Sequence, residues 1–286
     1  MRCANPPRLP AMTALLILMV CSPLALAQDR SSLDEPLCPS WIERILFDSY
    51  RNLASQQGRP QKSWPGVIFE EQSFLAQDGT EIYGYRAFAE SQQPQQQPAI
   101  VVVPGNAMLA DQLYSFAAYF ALQDFTAYIF DYRGYGGSAG IPRSHALIKD
   151  YREILSLVDG KEHVDVHIYA MSFGGIVSLV ALADANAPAA LVLDGVPSNL
   201  PWYAFCPSWL NPVSTLEHAP EQTLVVSGTD DPVISPDQMA SLRERAQELG
   251  MESRVVAHFS HPGLDNPDTT LQRLRLVSDF FRGSAP

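Results

Sequence analysis

From residue 99 to residue 281, short runs of β-branched and other apolar residues alternate with stretches of helical periodicity, and this alternation limits the possible folds more than any other feature. Ile100-Val101-Val102-Val103 is apolar at every position, as a strand covered on both faces must be. Runs at 127–130, 166–170, 191–193, 223–226 and 254–257 also read as strands, and 146–158, 174–185, 235–249 and 270–281 read as helices. Strands separated by helices need crossover connections. The expected architecture is therefore α/β: a mostly parallel sheet with helices on both faces.

Upstream, 67–75 and 81–88 are strand-like and meet around Asp78-Gly79, a hairpin signal. Ser40 is placed to cap a helix carrying Trp41, Ile42, Ile45, Leu46 and Tyr50, and 58–66, with Pro60 and Pro65, reads as a linker. The division expected is a leader at 1–27, an N-terminal segment with one helix at 28–66, and one α/β domain at 67–286 with a short cap at 196–220. The cap holds several prolines and Trp202, Tyr203, Phe205 and Trp209, a poor composition for a regular helix. Two readings of these aromatics stand: a seal over the core, or a substrate-binding wall in which Trp202 and Phe205 face an acyl group.

The leader has the parts of a secretory signal. Arg2 and Arg8 precede the apolar run 11–20, Pro23 breaks that run, and Ala25-Leu26-Ala27 fits a small-x-small cleavage site. A membrane anchor is the alternative, but the run is short for a span of about 20 residues; Cys21 as a lipoprotein site is disfavoured by the bulk of Val20. The expectation is an exported protein, periplasmic or secreted, with no stable membrane span after cleavage. Cleavage would leave Cys38 and Cys206, an even pair that suggests a disulfide in an oxidising compartment, the alternative being two separately buried thiols. No C-x-x-C, H-x-x-x-H or H-E-x-x-H pattern supports a metal site, and none is expected. A formal net charge of −12 without a basic, aromatic-interleaved stripe excludes a nucleic acid partner.

The chemistry centres on "YAMSFGGIV", residues 169–177. Ser172 stands between a strand-like run and a helix-like run, with Ala170 and Gly174 two residues to either side. That is the pattern of a nucleophile elbow, with Ala in the first small position of G-x-S-x-G. A helix cap is the other reading. Acids follow the 223–226 strand in "SGTDDPVIS" and histidines follow the 254–257 strand in "AHFSHPGLD". All three groups fall at carboxyl ends of strands, where sites form in such sheets. The order is serine, acid, histidine, with Ser172, Asp231 and His261 as the catalytic candidates. Asp230 and Asp194 are rivals for the acid, and His258 for the base.

On these residues the chain resembles the α/β-hydrolase superfamily over roughly residues 67–282. "DYRGYGGSAG" (131–140) is similar to the D-Y-R-G-Y-G-x-S-x-G signature of small lipases and depalmitoylases of that superfamily. "VVVPGNA" (101–107) resembles their H-G-N-A oxyanion segment, with Pro104 in place of His. The resemblance favours Asp231 by its spacing from Gly228. It implies ester or thioester hydrolysis of a small-molecule substrate without a cofactor, with backbone N–H groups of Asn106 and Phe173 as oxyanion donors. Asp131-Tyr132-Arg133 is expected to brace the loop beside the site. A serine peptidase of the same fold and a non-catalytic binding protein remain alternatives.

Overall fold

The computed structural model describes residues 37–48, 63–161, 163–198 and 204–283. The expected leader, most of the 28–66 segment, and Trp202 and Tyr203 lie outside the described residues.

An eight-stranded sheet forms the body: β1 (Val67–Leu75), β2 (Glu81–Ala89), β3 (Ala99–Val103), β4 (Thr126–Phe130), β5 (Val166–Met171), β6 (Ala190–Asp194), β7 (Thr223–Gly228) and β8 (Glu252–Val256). Their order is β1-β2-β4-β3-β5-β6-β7-β8. β2 is antiparallel to both its neighbours, and the pairs from β4 through β8 are parallel. The β1–β2 hairpin closes on Thr80 N–H donating to Asp78 Oδ1 at 2.9 Å, with Gly79 at φ 82°. The helices are α1 (Ser40–Glu43), α2 (Tyr114–Ala121), α3 (Ser144–Asp159), α4 (Phe173–Leu182), α5 (Pro212–Thr215), α6 (Ala240–Glu248) and α7 (Pro267–Gly283).

The two-residue side-chain period of the strands sorts the core into two layers. Val101, Val103, Ile168, Ala170, Leu191, Leu193 and Val225 pack under α3, α4 and α6. Ile100, Val102, Tyr169, Met171, Val192, Leu224 and Val226 pack under α2 and α7. Every residue of β3 to β7 except Val166 is buried, which is why these runs carry no polar alternation.

The structure departs from the sequence expectations at several elements. Helix α2 was not expected. Its sequence YSFAAYFA is buried at Phe116, Ala117, Ala118, Phe120 and Ala121, so no polar face gives it a helical period. The expected helix at 235–249 is split into a 3₁₀ turn, Pro236–Met239, and α6. Ser235 and Gln238 form a reciprocal capping box there. Pro39, not Ser40, precedes α1, which passes into a π-helical turn at Arg44–Asp48. The cap is built of short turns at Ser208–Leu210, Pro212–Thr215 and Leu216–His218. Cys38 and Cys206 are joined in a disulfide.

Candidate active site

The loops after β3, β5, β6, β7 and β8 meet at one end of the sheet. Register brings them level: Val103 pairs with Ala170, and Met171 with Asp194.

Ser172 follows β5 directly and precedes the first residue of α4. Its backbone is at φ 52° and ψ −123°, a conformation costly for a non-glycine residue. The turn is fixed on both sides, with Ser172 N–H donating to Asp194 O at 2.8 Å and Gly175 N–H donating to Ser172 O at 3.0 Å. A Cβ on Gly174 would stand 2.5 Å from Pro104 O, and one on Gly175 would stand 2.3 Å from Val196 Cγ2. The two glycines let α4 start against the neighbouring loops, and the strained turn holds Ser172 at the carboxyl end of central strand β5. Among the described residues the Ser172 hydroxyl makes no hydrogen bond.

Asp231 lies just past β7. Its Oδ1 accepts the N–H groups of Val233 and Ile234, each at 2.8 Å, which aims Oδ2 at His261. His261 Nδ1–H donates to Oδ2 at 2.8 Å, and both side chains are buried. With Nδ1 committed to the carboxylate, Nε2 is left as the basic nitrogen. His261 and Ser172 line the same cavity.

The rivals are accounted for by their partners. Asp194 is buried against Arg273 Nη1, at 2.6 and 2.8 Å, and accepts from Tyr169 Oη at 2.8 Å. Asp230 is exposed and accepts from Thr229 Oγ1 at 2.6 Å, with His258 Nδ1 at 3.5 Å and itself exposed.

Arg273 was not singled out in the sequence. Its guanidinium is buried, binds Asp194 and Asp265, donates to Ser260 O at 2.6 Å, and lies 4.3 Å from the Phe259 ring centroid. Burial opposes its charge, yet Asp194 and the hydrogen bonds outweigh this and hold its pKa above the ordinary arginine value. A residue of α7 thus ties the His261 loop to the end of β6. One of three arginines in a helical run carries no sequence signal for this; only the fold supplies its partners. Gly195 (φ 64°) also supports the ring, since a Cβ there would stand 3.2 Å from His261 Cε1.

The Pro104-Gly105-Asn106 loop is held from the 131–140 motif. Tyr132 Oη donates to Pro104 O at 2.6 Å, and Tyr135 Oη donates to Asn106 Oδ1 at 2.9 Å. Asp131 accepts from Ala110 N–H at 2.7 Å and Gly137 N–H at 2.9 Å. Arg133 is paired with Asp150 and Asp78. Asp131 and Tyr132 thus brace the loop beside the site as expected, whereas Arg133 ties the motif to the β1–β2 hairpin and α3. Asn106 and Phe173 both line the cavity beside Ser172. Phe173 is the first residue of α4, where a backbone N–H has no helical acceptor.

The cavity measures about 1010 Å³. Its apolar wall comes from Leu113, Phe116, Tyr119 and Leu122 around α2, and from Leu264, Leu271 and Leu274 around α7. Phe205, offered as a substrate-facing residue in one of the two readings of the cap, lies elsewhere. That ring is 61 % exposed, packs edge-on against Trp41 at 6.1 Å and is not part of the cavity wall, because the disulfide holds its segment to α1 instead. Trp202 lies outside the described residues. Part of the wall is α2, an element the sequence left unread, and Pro197 of the cap lines the cavity as well. Among the described residues no cluster of three or more His, Cys, Asp or Glu is placed to hold a metal ion.

A family model described as serine aminopeptidase, S33, matches residues 94–216. An uncharacterized protein of Mycobacterium tuberculosis is 29 % identical over 201 residues, 65 % of this chain and 68 % of that protein. The alpha/beta hydrolase domain-containing protein aho-3 of Caenorhabditis elegans is 30 % identical over 187 residues, 62 % of this chain and 56 % of that protein. The structure of the Pyrococcus furiosus esterase Pf2001 superposes with a TM-score of 0.62 at 14 % identity, over 79 % of this chain and 98 % of that one. The structural likeness is one of fold.

Proposed function

We propose that this chain, a member of the α/β-hydrolase superfamily, is a serine hydrolase that cleaves carboxylic esters or thioesters through an acyl-enzyme. The observation that carries the proposal is the strained Ser172 turn facing the same cavity as a buried Asp231–His261 pair.

In this reading His261 Nε2 takes the proton of Ser172 Oγ as the oxygen attacks the substrate carbonyl. The carbonyl oxygen becomes an oxyanion and is met by the N–H groups of Phe173 and Asn106, each donor contributing roughly 3–4 kcal/mol. Asp231 stabilises the imidazolium and holds its orientation. The imidazolium then gives its proton to the departing alcohol or thiol, leaving the acyl group on Ser172. Water, deprotonated by His261, releases the acid and restores the serine.

An apolar acyl group fits the wall formed by Phe116, Leu264, Leu271 and Leu274. The family model's name favours a second reading, an aminopeptidase. Such an enzyme needs an anionic group to receive the substrate's free amino terminus. Among the described residues lining the cavity Asp265 is the acidic one, and it is committed to Arg273 and to the Ser260 N–H. This supports esters over peptides. The Cys38–Cys206 bridge supports residence in an oxidising compartment, periplasmic or extracellular.

Labelling with a fluorophosphonate, followed by peptide mapping, tests the assignment. Label on Ser172, hydrolysis of nitrophenyl esters and loss of both in Ser172→Ala are expected. An active, labelled Ser172→Ala protein would overturn the proposal, and preference for aminoacyl amides over esters would favour the peptidase.

A further inference from the structure

The turn that follows α1 ends beneath the oxyanion hole. Phe47 is fully buried, and its ring packs edge-on against Phe173 at 5.6 Å. The Phe47 carbonyl oxygen lies 3.3 Å from Tyr135 Oη, the hydroxyl that also donates to Asn106 Oδ1 at 2.9 Å. One residue upstream of the sheet thus touches Phe173 directly and Asn106 through one hydroxyl. Phe173 packs on its other side against Tyr132, whose hydroxyl holds Pro104 O. The segment is tied at two further points. Cys38 is bonded to Cys206, 168 residues away, and buried Glu43 accepts the Leu37 N–H at 3.1 Å with Arg143 at 4.0 Å.

We infer that Phe47, held in place through the Cys38–Cys206 disulfide, is a positioning residue for the two backbone donors of the oxyanion hole. The inference rests on the serine-hydrolase reading above. The physical reason is geometric: a donor must be aimed at where the oxyanion forms, and a small misplacement is costly. The elbow hydrogen bonds of Ser172 and Gly175 hold the backbone at Phe173, and the Tyr132 and Tyr135 hydroxyls hold the loop at Pro104 and Asn106. Phe47 adds a contact to each donor residue, its ring against the Phe173 ring and its carbonyl against the hydroxyl that holds Asn106.

The test compares Phe47→Ala, Phe47→Leu, Tyr135→Phe and the double variant Cys38→Ser/Cys206→Ser in the full mature protein. Three readouts are taken: kcat and KM on a short nitrophenyl ester, inhibition by a trifluoromethyl ketone, and amide hydrogen exchange of 104–108 and 172–175. The ketone binds as a tetrahedral oxyanion and so reports the hole itself. Phe47→Ala and the double cysteine variant should lose about 10- to 100-fold in kcat with little change in KM. Ketone affinity should fall in parallel, and exchange should rise in both segments. Tyr135→Phe should show a smaller loss of the same form, and Phe47→Leu should recover much of the activity. Folded variants with wild-type ketone affinity and exchange confined to 37–48 would overturn the inference, even if their melting temperature fell. If Phe47→Ala does not fold, the cysteine and Tyr135 variants decide. A wild-type protein that neither hydrolyses esters nor takes the fluorophosphonate would defeat the hydrolase reading, and the exchange data would then judge the positioning claim alone.

Discussion

Asp231 Oδ2 accepts a hydrogen bond from His261 Nδ1 at 2.8 Å, and the other oxygen of the same carboxylate is held by two backbone N–H groups. The pair is buried, while its neighbours Asp230 and His258 form a looser, exposed pair one turn away. Two adjacent aspartates therefore face different worlds. Asp231→Asn keeps the shape but replaces the acceptor that selects the histidine tautomer. Ester turnover should fall by about 10⁴. Asp230→Asn should leave turnover near wild type. Circular dichroism on both variants guards against misfolding, and equal effects of the two substitutions would remove Asp231 from the triad.

The chain-length preference of the cavity separates the observed wall from the one expected from the sequence. Leu271 lines the cavity, whereas Phe205 stands outside it against Trp41. Leu271→Ala should lower kcat/KM for an octanoate ester about tenfold more than for an acetate ester. Phe205→Ala should leave that ratio unchanged. The opposite pattern would return the acyl wall to the cap.

The fold was legible because burial on both faces writes itself as unbroken apolar runs. β3, β5, β6 and β7 were each visible within a residue or two of their ends. The placing of Ser172, Asp231 and His261 at one end of the sheet was legible for the same reason, since each follows a strand whose end could be located. α2 was not, because a helix buried almost all round has lost the polar face that would reveal its period. With α2 unread, its share of the cavity lining was out of reach, and the aromatics of the cap were the visible apolar candidates. Arg273 illustrates a different limit. Its partners Asp194, Asp265 and Ser260 come from the end of β6 and the loop after β8, and their convergence is a property of the packed sheet, absent from any local pattern.

His167 offers a test of the protein's response to acid that is independent of catalysis. It lies on β5, is 2 % exposed, stacks on Phe281 at 4.8 Å and meets the edge of Phe125 at 5.9 Å. Its Nδ1 has no hydrogen-bond partner among the described residues. Burial pulls its pKa down from 6.5 to about 4. Between those values the unfolded chain binds a proton that the folded chain refuses. Stability is therefore unaffected by this group above about pH 6.5 and falls as pH drops towards 4, by about 3 kcal/mol in all. His167→Phe keeps an aromatic ring in the stack and removes the titration. Other groups, including Asp150, whose pKa burial raises to about 6, titrate alike in both proteins and cancel in the comparison. Urea unfolding at pH 7.5 and pH 4 should show the variant gaining about 3 kcal/mol on the wild type as the pH falls. Parallel losses in the two proteins would mean that His167 takes up its proton in the folded state at an ordinary pKa.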